Sequence, residues 1–213
     1  LASRVEVGFW YLSETADELA ALWPKGAACF TEASSRFTST KRICEWMAVR
    51  AYIAQSTFAS PDDILYTPQG KPYFLCDNRF ISISHTKKWI AVALAPCKVG
   101  VDVELKSSRA YKIRDKFLLP SEIDLLGRVD NPEQEALRMW TVKEAAFKMH
   151  DWQAGGVLTD IVITQREACS SILSSTEGRE VLYHVSFPGH EVSEVLCCEY
   201  DDFMLSICMN KIF

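Results

Sequence analysis

The sequence predicts an α+β fold, and three observations carry that expectation. Residues 39–58 place Ile43, Met47, Ala51, Ala54 and Phe58 three or four apart, the spacing of one face of a long helix. Residues 80–94 alternate with period two instead: Ile81 and Ile83 with Ser82 and Ser84 going out, Ile90, Val92 and Leu94 coming back, with a turn at 86–88. The third observation is a faint internal repeat. Each half runs helix, then extended pieces, then a hairpin closed by an aromatic, Trp89 in the first half and Phe203 in the second.

In chain order, residues 5–12 read as a first strand. Ser13, Glu14 and Asp17 predict a capped helix that enters Leu19 and stops at Pro24, which makes 24–30 a loop. After the long helix, 61–63 open a short extended piece, Gly70-Lys71-Pro72 turns, and 73–75 are extended again. The hairpin leads to residues 99–104, whose strict alternation puts three valines on one face and Gly100, Asp102 and Glu104 on the other. Pro120 and Ser121 before Glu122 look like a helix start within 117–126, and 127–132 is a loop. Residues 134–149 lack Gly and Pro, and their Ala and Lys content favours a helix more than the loosely spaced Leu137, Trp140, Ala145 and Phe147 do. After Gly155-Gly156 come four strand-like runs at 157–164, 180–187, 194–200 and 203–209, and no long linker divides the chain.

With 213 residues, 48% of them apolar, the chain is long enough to bury a large core and is neither disordered nor fibrous in composition. A net charge of -5 argues against non-specific binding to nucleic acid, which needs a basic face. The eight cysteines include no Cys-x-x-Cys pair and sit mostly in apolar runs, so reduced, buried thiols are expected rather than a zinc site. No apolar run approaches the roughly 20 residues of a membrane span, and residues 1–20 show no basic region followed by an apolar signal core. A cytoplasmic location is the expectation that follows.

Two stretches carry chemistry. Asp102 and Glu104, two apart on a strand, stand about 6 to 7 Å from each other and repel unless a cation or solvent intervenes. That geometry suits a hard metal with oxygen ligands, and it also suits an exposed acidic edge. In the stretch Trp140-Thr141-Val142-Lys143-Glu144-Ala145-Ala146-Phe147-Lys148, helical periodicity stacks Trp140, Glu144 and Lys148 on one face. A Glu four residues before a Lys is otherwise an ordinary surface pair, contributing roughly 0.2 to 0.5 kcal/mol. Lys41, Arg42 and Arg50 project from the first long helix, and Ser84 and His85 sit at the turn end of the hairpin.

Together, Gly70-Lys71-Pro72, Ile81-Ser82-Ile83-Ser84-His85-Thr86, Val99-Gly100-Val101-Asp102-Val103-Glu104 and the Trp140 to Lys148 stretch resemble one family. The chain is similar, from residue 41 to about 163, to the 4'-phosphopantetheinyl transferases of the surfactin-synthetase-activating type. The third and fourth signatures are highly specific, whereas the first two alone would be weak. The resemblance implies two similar α/β subdomains in a pseudo-twofold arrangement, each a small, mainly antiparallel sheet packed with a helix. The active site would lie in the cleft between them; we divide the chain into residues 1–98 and 99–213.

What the resemblance implies chemically is transfer of the phosphopantetheine arm of coenzyme A to a serine hydroxyl of an apo acyl or peptidyl carrier protein, releasing adenosine 3',5'-bisphosphate. The pyrophosphate is multiply negative and would repel an incoming alkoxide, so Mg²⁺ is implied as cofactor. Asp102, Glu104 and Glu144 match the metal-binding carboxylates, and Glu144 matches the general base, acting directly or through a metal-bound water. Lys148 would offset charge on the leaving phosphate. Lys71, Ser84 and His85 match positions that hold the coenzyme A phosphates. Arg50 or Arg42 should contact the nucleotide's phosphate, with the register between Lys41 and Arg42 left open. Glu122 falls where the family has a glutamate near the site, pairing with Lys143 or Lys148. No nucleic acid or membrane partner is implied, and a monomer would suffice. A metal-dependent nuclease is disfavoured because Glu144 and Lys148 are four apart on a helix rather than in a strand-borne Glu-x-Lys. A silent coenzyme A or carrier-protein binding module would have no need of clustered carboxylates.

Overall fold

The computed structural model describes residues 5–57, 59–150, 158–168, 179–187 and 191–210. Strand β1 (Glu6–Tyr11) is followed by helix α1 (Ala16–Ala20), capped by Thr15 in a reciprocal box with Glu18 rather than by Ser13. Helix α2 (Gly26–Arg36) occupies the region expected as a loop. Its residues after Gly26 contain no further Gly or Pro, and Cys29 and Ala33, four apart, bury one face on the core. Helix α3 (Thr40–Ser56) is the long helix expected from periodicity. Residues Pro61–Asp63 form a 3-10 turn rather than an extended piece, with Ser60 accepting from the Asp62 N–H, and they lead into strand β2 (Ile64–Tyr66). Gly70, at φ 86°, makes the turn into strand β3 (Pro72–Phe74).

Strands β4 (Phe80–His85) and β5 (Trp89–Ala95) form the expected hairpin, and strand β6 (Val99–Leu105) follows. Helices α4 (Arg109–Lys112), α5 (Pro120–Leu126) and α6 (Pro132–His150) come next, then strands β7 (Val162–Ala168), β8 (Arg179–Ser186), β9 (Ser193–Glu199) and β10 (Phe203–Met209). Strand β7 begins later than its sequence pattern suggests. Leu158–Asp160 forms a 3-10 turn, and antiparallel pairing with β8 sets the strand's register, from Val162 opposite Ser186 to Ala168 opposite Val181. Gly155 and Gly156 lie outside the described residues.

The fold is α+β, built of a three-stranded antiparallel sheet ordered β1-β5-β4, a five-stranded antiparallel sheet ordered β6-β10-β9-β8-β7, and the small β2-β3 pair. Each larger sheet has a long helix. Met47, Ala51 and Ile53 of α3 pack with Ile81, Ile90, Val92 and Leu94, while Val142, Ala145, Ala146 and Met149 of α6 pack with Tyr183, Val185, Val195 and Cys197. The opposite face of β5, Ala91, Ala93 and Ala95, meets the three valines of β6 and Leu205 and Ile207 of β10 in a third core. The aromatics that close the two hairpins touch there, the Trp89 and Phe203 rings lying 4.9 Å apart.

Strand β4 borders β6 without a backbone ladder between them. Ser82 Oγ accepts from the Val101 N–H at 3.0 Å and Ser84 Oγ from the Val103 N–H at 3.3 Å, so the alternate serines satisfy the open edge of β6. All seven described cysteines are free and five are buried; Cys169 lies outside the described residues. Among the described residues no helix is long and apolar enough to cross a membrane.

Helix α6 lies so close to β6 that a Cβ on Gly100 would stand 1.9 Å from the Ala145 carbonyl oxygen and 2.7 Å from the Met149 nitrogen. Both are helix backbone, which cannot rotate aside. Gly100→Ala is therefore expected to cost about 1 to 3 kcal/mol or more, read as a lower denaturation midpoint in urea. An unchanged midpoint would show that α6 can move off the strand without loss.

Candidate active site

Strand β6 and helix α6 supply the acidic groups. The alternation of β6 turns Asp102 and Glu104 away from the valine core, and the helical repeat of α6 turns Trp140, Glu144 and Lys148 toward them. Lys148 Nζ donates to Asp102 Oδ1 at 2.7 Å and to the Val101 carbonyl at 3.1 Å. The Trp140 indole N–H donates to Glu104 Oε1 at 3.2 Å, and its ring packs edge-on against Phe117 with centroids 4.9 Å apart. Ser84 Oγ, from β4, donates to Asp102 Oδ1 at 2.9 Å while accepting the Val103 N–H. The other oxygen of Asp102, Oδ2, is buried with no hydrogen-bond partner.

Glu144 lies between Trp140 and Lys148 on the helix face. Burial, and after it the Asp102 carboxylate, pushes the Glu144 carboxyl up from 4.5 to about 7, against the pull of Lys148. Glu104 is raised by the same two causes in the same order. Among the described residues no three acidic, histidine or cysteine side chains yet close on a single point, and here Lys148 holds Asp102 while Trp140 holds Glu104. The donor set nonetheless fits a hard divalent cation. It offers only oxygens, one of them orphaned and buried, and added positive charge would relieve the repulsion that raises Glu104 and Glu144.

The cationic groups come from the first half of the chain. Lys71, just after the Gly70 turn, donates to the Lys148 carbonyl at 3.2 Å and so serves the open C-terminal end of α6. His85, at the end of β4, is half-exposed and stands between two groups of α3: Arg42 Nη1 lies 3.2 Å from its Nε2 and Glu45 Oε1 lies 3.4 Å from its Nδ1. The structure thus places Arg42 beside His85 and puts Arg50 elsewhere. Arg50 is eight residues further along the helix, roughly 12 Å. Its buried guanidinium donates to the Trp46 and Ile64 carbonyls, sits 3.2 Å over the Trp46 ring and borders a cavity of about 470 Å³ shared with Lys25, Glu32, Arg36, Asp62 and Tyr66.

Glu122 pairs with Lys143, not Lys148. Lys143 Nζ is fully buried and donates to Glu122 Oε2 at 2.6 Å and to the Phe117 carbonyl at 3.0 Å, while Glu122 accepts the Leu119 and Ile163 N–H groups. The ammonium thus has two acceptors and both carboxylate oxygens have donors, so the buried pair fastens α5 and the start of β7 to α6. Burial pulls the Lys143 ammonium below its usual range, and Glu122 opposes that. Sequence reasoning does not single out Glu45. It is 4% exposed, yet it follows Lys41 and Arg42 by four and three residues and reads like any helix-surface acid. Nor does sequence show that the Trp140 indole bonds a carboxylate.

The raised Glu144 carboxyl makes the metal-free protein sensitive to pH. A folded state that binds this proton more tightly than the unfolded chain gains stability on acidification, so the group's contribution falls as pH rises from 4.5 to about 7 and stays at its low level above. The full span is on the order of 3 kcal/mol. Urea midpoints measured across that range without divalent cations should show the decline, and Glu144→Gln should flatten it. An identical slope in the variant would assign the decline to other groups.

The family described as the 4'-phosphopantetheinyl transferase superfamily matches residues 98–208, just over half of the chain. Among curated proteins, the chain is 30% identical over 106 residues to the 4'-phosphopantetheinyl transferase gsp of Aneurinibacillus migulanus, covering 48% of this chain and 44% of that one. It is 24% identical over 172 residues to a 4'-phosphopantetheinyl transferase of Bacillus subtilis, covering 77% and 76% respectively. A putative 4'-phosphopantetheinyl transferase of Haemophilus influenzae is 30% identical over 102 residues, 45% of this chain and 43% of that one. The chain thus spans under half the length of the first and third relatives and about three quarters of the second. With α+β sheets and helices carrying the four signatures, the chain belongs to the 4'-phosphopantetheinyl transferase superfamily, a family of transferases.

Proposed function

We propose that this chain transfers the 4'-phosphopantetheine group of coenzyme A to a serine hydroxyl of an apo acyl or peptidyl carrier protein, releasing adenosine 3',5'-bisphosphate. The observation that carries the proposal is the meeting of Asp102 and Glu104 of β6 with the Glu144 and Lys148 face of α6, with Asp102 Oδ2 buried and unpaired. Asp102, Glu104 and Glu144 would hold Mg²⁺. When bound, the ion supplies positive charge to the pyrophosphate oxygens, easing approach of a nucleophilic oxygen.

The residues then divide the work. Glu144 would take the serine proton, directly or through a water; its burial raises the carboxyl's affinity for a proton, and the cation beside it would moderate that rise. The serine oxygen forms its bond to the phosphorus as the bond to the departing adenosine bisphosphate breaks, and Lys148 offsets the charge that grows on the departing group. Lys71, His85 and Arg42 hold coenzyme A phosphates, whereas the expected part of Ser84 there is reduced to orienting Asp102, to which its one hydroxyl proton is donated. We assign Arg50 no more than a supporting part, because its guanidinium is engaged by Trp46 and Ile64. The serine bonds that join β4 to β6 support a division into residues 1–98 and 99–213 with the site between them, an arrangement in which one copy suffices. Free thiols, mostly buried, support a cytoplasmic location.

Incubation with a panel of apo carriers, coenzyme A and Mg²⁺ should add the mass of one phosphopantetheine to a carrier; coenzyme A binding without mass gain on any carrier would favour a silent binding module. Lys71→Ala or His85→Ala should raise KM for coenzyme A more than KM for the carrier, and equal effects on both would deny them a phosphate. Glu144→Gln keeps the shape but removes charge and basicity, and turnover should fall by roughly 10² to 10⁴ with the fold intact. Near wild-type turnover of that variant in saturating Mg²⁺ would end the assignment.

A further inference from the structure

Helix α3 carries a buried acid that the proposed chemistry leaves unused. Glu45 is 4% exposed and has two cations and an imidazole around it: Lys41 Nζ 3.1 Å from Oε1, Arg42 Nη1 3.7 Å from Oε2, and His85 Nδ1 3.4 Å from Oε1. Neither oxygen has an aligned hydrogen bond, although these ionic distances are short. The carboxylate is therefore held by charge rather than by directed bonds, and without the cations its burial would be very costly. All three groups are open on their outer sides, with more than half of the Lys41 and Arg42 side chains and 37% of His85 exposed. A buried anion behind outward-facing cations fixes them in place and still leaves net positive charge at the surface.

The contacts also assign the imidazole proton. A guanidinium can only donate, so His85 Nε2, 3.2 Å from Arg42 Nη1, is the acceptor, and the proton of the neutral ring sits on Nδ1 toward Glu45. Burial lowers the imidazole below its ordinary range. Glu45 opposes that shift, while Arg42 and Lys41 on α3 and Lys148 on α6 add to it.

We propose that Glu45 is a positioning residue for anion capture: it aims Lys41, Arg42 and His85 at one phosphate and, through His85 Nδ1, makes capture of that phosphate take up a proton. This rests on the reading of Arg42 and His85 as phosphate-holding groups. An entering phosphate draws Arg42 off Nε2, the freed lone pair takes a proton from the buffer, and the new N–H donates to a phosphate oxygen. Nδ1–H stays on the side of Glu45, whose charge stabilises the imidazolium. No bond between heavy atoms changes; one proton moves from buffer to ring. The ring is neutral when free and charged in the complex, so affinity falls as pH rises through the pKa of His85 in the complex.

Calorimetric titration of the chain with coenzyme A, repeated in buffers of different ionisation enthalpy between about pH 6 and 8, counts the protons. Wild type should take up a fraction of one proton. Glu45→Gln should take up less than half as much, bind coenzyme A roughly three- to fivefold more weakly, and lose affinity at lower pH than wild type. Wild-type uptake and affinity in Glu45→Gln would overturn the proposal. So would the absence of uptake by wild type, a result that needs no variant to fold. Unchanged coenzyme A affinity in His85→Ala would overturn the phosphate reading of His85 itself, and the proposal with it.

Discussion

The acidic cluster depends on how closely helix α6 lies on strand β6. Backbone meets backbone at Gly100, where a Cβ would fall 1.9 Å from the Ala145 carbonyl oxygen. That approach brings Lys148 Nζ within 2.7 Å of Asp102 and the Trp140 indole within 3.2 Å of Glu104. Gly100 alternates with the core valines and so stands on the same face as the two carboxylates. One strand therefore does two jobs. Its valines close the core between the sheets, and its other face offers a gap for the helix followed by two acids.

The second edge of β6 is finished by side chains rather than by another strand. Ser82 and Ser84 accept the Val101 and Val103 N–H groups, so two sheets adjoin without merging, and the hydroxyl of Ser84 is left to donate to Asp102. A hydroxyl oxygen can accept and donate at the same atom, whereas a backbone N–H only donates and a C=O only accepts, and that lets one side chain satisfy an edge and orient a carboxylate at once. The join matters for geometry because His85 follows Ser84 directly, so whatever fixes β4 against β6 also fixes the distance from the His85 group to the acids.

Much of this was legible in the residues. Period-two alternation located β4, β5 and β6 and separated Gly100, Asp102 and Glu104 from the valines; helical spacing put Trp140, Glu144 and Lys148 on one face. Helix α2 was not legible, because a short helix opened by Gly26 after Pro24 looks like a loop until Cys29 and Ala33 find a core to pack on. The later start of β7 comes from β8, a partner distant in the chain. Glu45 escaped for a related reason. Sequence spacing gives its distance from Lys41 and Arg42 on the helix, yet its burial and its approach to His85 of β4 exist only in the folded chain.

Charge is sorted between the two halves of the chain in a way that composition hides. The acids at issue belong to β6 and α6, with Lys148 among them, while Lys71, Arg42, Lys41 and His85 come from α3, β4 and the turn after Gly70. Each set contains one member of the opposite sign, Lys148 beside Asp102 on one side and Glu45 beside Lys41, Arg42 and His85 on the other. The minority charge lowers the repulsion within its own cluster without cancelling it, so both clusters can be built in the folded state and still retain a field toward the space between them. On the proposed reading, that space receives a polyanion and a divalent cation. The cation adds to the acidic side and the phosphates to the basic side, so the charge left uncompensated on each side is of the sign its ligand needs.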